Sequence, residues 1–249
     1  VSPGPLAWRA ADARPMLEAL ADREYPRRAL RPLVIGYCAR PEHRAVHPGV
    51  VAAADRAAAL LEQLGHRVVP VDLPLTGWND VFGPLVLEDE ARERGHLLAK
   101  PELLTEYERK SLEAAQRLDP ADVERARRDL PVYRQRISDI FLKFDVILTP
   151  STAVPAFELG RRPRTIDEHG VDALWGAFPF AVPFNVAGTP AATTPTGLVD
   201  GLPVGVQLVT PMHTEALLLE VAQALEEAIN FDRTSVLARW DRIAVSPRS

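Results

Sequence analysis

The run PLVIGYC, the helical stretch that follows it and the run HRVVPVDLP leave this chain few ways to fold. Both runs are rich in apolar, β-branched residues and read as strands. Between them Val50, Ala54, Ala57, Leu61 and Leu64 recur at helical spacing. Pro48 suits the first turn of a helix and Gly65 the position just past its end, which predicts a helix over about 48–64. Each large aliphatic fully buried along that face contributes roughly 1.5–3 kcal/mol. Strand, helix and strand within about 40 residues imply a parallel pair with a right-handed crossover. Such units often hold nucleotides, but the loop after the first strand carries only Gly36 and Gly49. No glycine-rich turn opens the helix, so the dinucleotide fingerprint is missing.

The remaining segments fit around that unit. The opening VSPGP reads as a turn leading out of preceding structure. After it, Leu6, Ala10, Ala13, Leu17 and Leu20 form one helical stripe, weakened by Pro15. Residues 78–143 are charged and helical, broken at the Asp119–Pro120 step and ending in a stretch that carries Val132, Ile137, Ile140, Phe141 and Phe144. Their dense Arg and Glu content reads as a solvated face with i,i+4 pairs. FDVILTP is an apolar strand that places Thr149 and Pro150 at its carboxyl end, the edge where ligands tend to lie in open α/β sheets. ELGRRPRTIDEHG is a polar loop expected to be mobile, and LWGAFPFAVPFN is dense in aromatics and prolines. The last third reads as strand AATTPTGL, turn VDG, strand LPVGVQLVT and helix EALLLEVAQALEEAI. In that helix Leu218, Val221, Ala222, Leu225 and Ile229 face the core, with Thr214 as N-cap and Glu215 in the favourable first turn. The sum is an α/β fold with a mixed, largely parallel sheet flanked by helices. Residues 1–249 are expected to make a single α/β domain with a helical insertion at about 78–143.

Composition narrows the function. Hydrophobic residues make up 47% of the 249 and charged residues 25%, the proportions of a globular protein that can bury a sizeable core. A net charge of −5 without a dominant Lys/Arg block argues against a nucleic-acid partner. No apolar segment approaches the roughly 20 residues of a membrane helix, and the N-terminus lacks a basic region followed by an apolar run, so a cytoplasmic setting is expected. The lone Cys38 ends an apolar strand and reads as a buried structural thiol in a reducing compartment. Ser2, Ser111, Ser138, Ser151 and Ser246 all lack a Gly-x-Ser-x-Gly elbow. His43, His47 and His66 lack metal-ligand spacing and His213 reads as packing before a helix, so neither a metal site nor a cofactor is expected. Only Lys100, Lys110 and Lys143 could serve a lysine-dependent mechanism.

The ordered motifs NVAGTPAATTPTG, GLPVGVQLVTP and EALLLEVAQALEEA closely resemble the carboxyl-terminal half of the amidase signature family. FDVILTPS is similar to that family's Asp-x-x-x-Thr-Pro strand, and HPGVVAAADRAAALLEQLGHRVVPV to its helix followed by Leu-Gly-His-x-Val. SPGPLAWRAADARPML resembles the segment just after its catalytic region. The likeness runs from about Ser2 to Ile229. It implies hydrolysis of amide bonds by a serine nucleophile, a second serine in a cis peptide and a lysine base, the last two relaying the proton. Those three residues lie in a glycine- and serine-rich segment that precedes the matched region, and none carries over to a position here. The expected catalytic set within this chain is therefore empty.

The resemblance also implies a role for residues 183–209. Gly188, Gly201 and Gly205 would allow tight turns or close backbone approach, and Pro190 and Pro203 would fix strand entries. The turn before Asn185 would border an acyl pocket, and with Trp175, Phe178, Phe180 and Phe184 it would suit an apolar or aromatic acyl group rather than a charged one. Thr149, Trp175, Phe178, Phe180 and Asn185 are the substrate-binding candidates. The expected function is the carboxyl-terminal portion of an amidase, supplying sheet core and pocket wall and inactive alone. The competing reading is a non-catalytic binding or partner subunit that pairs with a chain carrying the serines. A carrier of small molecules without an enzymatic past has only the aromatic turn in its favour. The implied partners are a small-molecule amide in the complete protein, together with an amino-terminal chain or a second copy of this one.

Overall fold

A computed structural model describes residues 4–234. Its centre is a five-stranded sheet in the order β2-β1-β3-β7-β6. The strands are β1 (Val34–Tyr37), β2 (Arg67–Pro70), β3 (Val146–Pro150), β6 (Ala191–Val199) and β7 (Leu202–Val209). β1 pairs in parallel with β2 and β3, and β7 pairs antiparallel with β3 and β6. The sheet is mixed as expected, with parallel and antiparallel pairings in equal number. The parallel half is the crossover unit read from the sequence, closed by helix α2 (Pro48–Gln63). The antiparallel half is a hairpin turned by Asp200 and Gly201, both at positive φ.

Alternation along the strands builds a core on each face of the sheet, and a third cluster gathers Val199 and Val204 of the hairpin with Val46, Val50 and Phe180. Ile35, Val146, Leu148, Val206 and Leu208 face α2 and α7 (Glu215–Ile229), where Ala54, Leu61, Val221 and Leu225 meet them. Ile147 and Val209 face the other side, against α3 (Trp78–Arg94), α5 (Pro120–Ser138) and α6 (Val182–Ala187), with Trp78, Tyr133, Ile137 and Phe184 packed there. α4 (Glu106–Gln116) stands between α3 and α5 in sequence and closes its first turn with a capping box between Thr105 and Glu108. Close strand approach requires Gly205, since a Cβ there would lie 2.8 Å from the Thr194 carbonyl oxygen.

α1 (Ala10–Ala21) lies against α7, with Arg14 as its buried residue. Arg14 Nη2 pairs with Glu220 at 2.7 Å and Nη1 donates to the Tyr25 carbonyl at 2.5 Å. This contact sets the helix rotation, so Leu20 faces solvent rather than completing an apolar stripe, and Leu6, which lies before the helix, is exposed as well. Val132 is likewise exposed, while Ile137 and Ile140 are buried. Thr214 precedes α7 but does not cap it, because its hydroxyl donates back to the Pro211 carbonyl at 2.6 Å. Within the polar loop a small hairpin forms from β4 (Thr165–Ile166) and β5 (His169–Gly170), turned by Asp167 and Glu168 in the left-handed region. Ile166 is buried and anchors it. Ser2 and Ser246 lie outside the described residues.

Candidate active-site wall

Register brings Thr149 of β3, Gln207 of β7 and Thr193 of β6 into one row across the sheet. Thr149 is fully buried; its hydroxyl donates to the Pro150 carbonyl at 3.0 Å and accepts from Gln207 Nε2 at 3.2 Å. The same Nε2 donates to the Phe180 carbonyl at 3.1 Å. A carbonyl can only accept, so this contact fixes which end of the Gln207 amide points where. One buried amide thus fastens the loop around Phe180 to the floor of the sheet. Beside it Ser151 Oγ donates to Thr193 Oγ1 at 3.4 Å, on the exposed edge of the row.

The chain beyond β3 and the aromatic turn are stitched together. Ala153 N donates to the Ala177 carbonyl at 3.0 Å, and His47 N to the Ala153 carbonyl at 2.8 Å. Asp172 shapes the turn by accepting from the Trp175 and Leu174 amides at 2.6 and 2.8 Å. Those donors, the Trp175 amide first, hold its carboxyl below the usual aspartate range. Gly176 is required there, since a Cβ would lie 2.4 Å from the Asp172 carbonyl oxygen.

The five candidates do not form one pocket. Thr149 and Phe180 meet through Gln207, and the Phe180 ring is buried with Val46, Val50 and Ile166. Trp175 turns instead toward Trp78 and Phe82, edge-on at 5.3 and 5.7 Å between ring centroids. Trp78 Nε1 in turn donates to Glu42, which pairs with Arg44. Phe178 stays 40% exposed and stacks against Phe157 at 5.6 Å. Asn185 sits in α6 with its side chain in solvent, and Phe184 is buried in the core beneath. Sequence reasoning passed over Gln207, whose signal was a lone amide inside the apolar run LPVGVQLV. It also passed over Phe157 and the arginines of the polar loop, which share a cleft with Phe178.

This arrangement orients and encloses. Ser111 Oγ donates to Glu90, Lys110 Nζ pairs with Glu106, and no serine hydroxyl meets a lysine amine among the described residues. Cys38 is buried, and burial pushes its thiol up, away from the reactive thiolate. His47 Nδ1 accepts from the Gly49 amide and His66 Nδ1 from the Leu33 amide, so both rings are engaged locally. No group of three or more His, Cys, Asp or Glu that could hold a metal occurs among the described residues. No helix there is long and apolar enough to cross a membrane.

The wall, the mixed sheet and the order of motifs define an amidase-type α/β scaffold. The chain belongs to the amidase family, the amidase signature enzymes: the family model described as Amidase matches residues 3–219. It is 34% identical to a Mycobacterium tuberculosis protein named as an amidase, AmiA2, over 186 residues, covering 73% of this chain and 38% of that protein. It is 31% identical to indoleacetamide hydrolase of Bradyrhizobium diazoefficiens over 260 residues, covering 96% of this chain and 47% of the other. A crystal structure titled as an amidase superposes with a TM-score of 0.82 at 27% identity, covering 90% of this chain and 52% of that one. The chain spans about half the length, or less, of the curated relatives it matches.

Proposed function

We propose that these residues supply the sheet and one pocket wall of an amidase that hydrolyses carbon–nitrogen bonds, its nucleophile and base coming from polypeptide outside residues 1–249. The observation that carries this reading is the end of the Thr149–Gln207–Thr193 row. It stops on β6, the outermost strand, where Thr193 is exposed and the far side of the strand has no strand partner among the described residues. A buried, hydrogen-bonded wall that runs out onto an open strand edge is half of an enclosure. The serines and lysine that the family resemblance calls for would complete it from that side. In this reading residues 1–249 act as one α/β unit with 78–143 as its helical insertion, working in the cytoplasm on a small-molecule amide. Phe178 and Phe157 beside the wall favour an aromatic moiety, and the relative named indoleacetamide hydrolase agrees with that choice.

The open edge equally suits a partner subunit pairing with a separate chain. One experiment addresses both. The purified chain, alone and co-expressed with an amino-terminal family segment carrying the Ser-Ser-Lys residues, is assayed for ammonia release from phenylacetamide. The expected outcome is no turnover alone and phosphonate-sensitive turnover from a co-purifying pair. Phosphonate-sensitive turnover by the chain alone would refute the reading.

A further inference from the structure

Off the carboxyl end of β3, residues 157–164 and the turn at 173–178 enclose an open cleft of about 600 Å³, within the roughly 300–1,000 Å³ typical of small-molecule sites. Its chemistry is divided. One part is the Phe157–Phe178 pair, with ring centroids 5.6 Å apart and planes inclined by 37°. Phe178 remains 40% exposed, although the other phenylalanine of its turn, Phe180, is buried to 1%. The other part is three arginines, Arg161, Arg162 and Arg164, and no Asp or Glu lines the cleft among the described residues.

Local contacts leave much of that charge available. Arg161 pairs with Glu158 at 2.9 Å, but both side chains are largely in solvent, where such pairs contribute little. Arg162 Nη1 donates to the Leu174 carbonyl at 3.3 Å, which ties one wall of the cleft to the other and leaves further N–H donors on the same group. Arg164 is held from its backbone, its carbonyl accepting from the Val171 amide at 2.9 Å at the base of the β4–β5 hairpin. Clustered guanidiniums repel one another, and an anion among them relieves that repulsion while matching their planar donor forks. An exposed aromatic pair beside the same forks offers a face for a second ring.

We propose that this cleft binds an aromatic carboxylate, its ring against Phe157 and Phe178 and its carboxylate on Arg162 and Arg164. For amide hydrolysis the consequence is that the preferred substrate or product carries an arene and a carboxylate together. That consequence rests on the proposed function, whereas the binding itself does not.

The test is calorimetric titration of the intact chain at low ionic strength with phenylacetate, acetate and phenylacetamide. Phenylacetate should bind at least about tenfold more tightly than acetate, which lacks the ring, and than phenylacetamide, which lacks the charge. Arg162→Gln with Arg164→Gln should weaken phenylacetate binding by about tenfold or more, and Phe178→Ala should do the same. Arg92→Gln, on the exposed face of α3, should leave it unchanged. Thermal unfolding of each variant checks that the fold is retained, and Arg164→Gln alone, a change at a solvent-facing side chain, provides a milder second variant. Equal binding of phenylacetate and acetate, no loss in the double arginine variant, or no heat of binding at all would overturn the proposal. Because no turnover is read, failure here leaves the amidase reading standing, and failure of the turnover assay leaves this one standing.

Discussion

Replacing Gln207 by leucine would remove a buried side-chain amide that joins the aromatic turn to the sheet. Gln207 is 5% exposed and spends its Nε2 on two acceptors, the Thr149 hydroxyl and the Phe180 carbonyl. Leucine fills nearly the same volume, so the loss is mainly polar. Leaving the Phe180 carbonyl without its donor costs about 1–3 kcal/mol, and the lost contact to Thr149, which keeps its own bond to Pro150, adds about 0.5–1.5. The expected destabilisation is about 1.5–4.5 kcal/mol, or a fall of about 0.5–1.5 M in the urea midpoint for a slope of about 3 kcal/mol/M. Urea unfolding followed by tryptophan fluorescence measures it. Gln207→Glu sharpens the test, because a carboxylate in that position faces the Phe180 carbonyl with no proton to give. Burial and that carbonyl raise its folded-state pKa above the usual value near 4.3. A raised folded-state pKa means the deficit is smallest below the unfolded value and grows as pH rises through the folded one. The glutamate variant should therefore approach the leucine variant near pH 4.5 and fall well below it at pH 8. A leucine variant within about 0.5 kcal/mol of the parent, or two variants that track each other across that range, would show that Gln207 is not the fastening.

Other perturbations test the frame around the wall. Gly205→Ala places a methyl 2.8 Å from the Thr194 carbonyl oxygen and should cost about 1–3 kcal/mol, read as a lower thermal midpoint. Arg14→Ala leaves the partly buried Glu220 without its cation, with only the Arg28 amide still donating to it, so a loss of about 1–3 kcal/mol is expected; faster limited proteolysis within residues 10–21 would locate it at α1. Burial lowers the pKa of His66, whose Nδ1 accepts from the Leu33 amide. A lowered histidine pKa gives a contribution that is complete above the unfolded value near 6.5 and is lost as pH falls through the folded one. Stability should thus decline in the parent as pH falls below about 6.5, and His66→Leu should flatten that slope in urea titrations at each pH.

What the sequence disclosed and what it withheld divide along contact range. The α2 helix was legible because Pro48, the apolar spacing and Gly65 are local signals, and Gly65 does adopt a positive φ past the helix end. The β6–β7 hairpin was legible for the same reason, through Asp200 and Gly201 at its turn. By contrast α6 is six residues long, too short for a period to emerge, and is held by burial of Phe184 and Val186 rather than by propensity. Leu20 matched the α1 stripe by spacing, yet the Arg14–Glu220 pair, distant in sequence, decides how that helix is turned. The candidate site shows the same limit. Thr149 and Phe180 were picked out singly, but the amide that unites them stands 58 and 27 residues away. Trp175 and Phe178 are near neighbours in the chain and point into different surroundings, which only the turn at Asp172 and Gly176 determines.

The outer strand β6 carries its own interruption. Its register with β7 breaks between Pro195 and Gly197, and Pro195 offers no backbone N–H. A visiting strand laid along this edge could keep step over residues 191–194 and would lose the ladder beyond them. The molecule therefore presents a short landing strip rather than a long template, which admits a matching segment while discouraging copy-upon-copy growth into fibres.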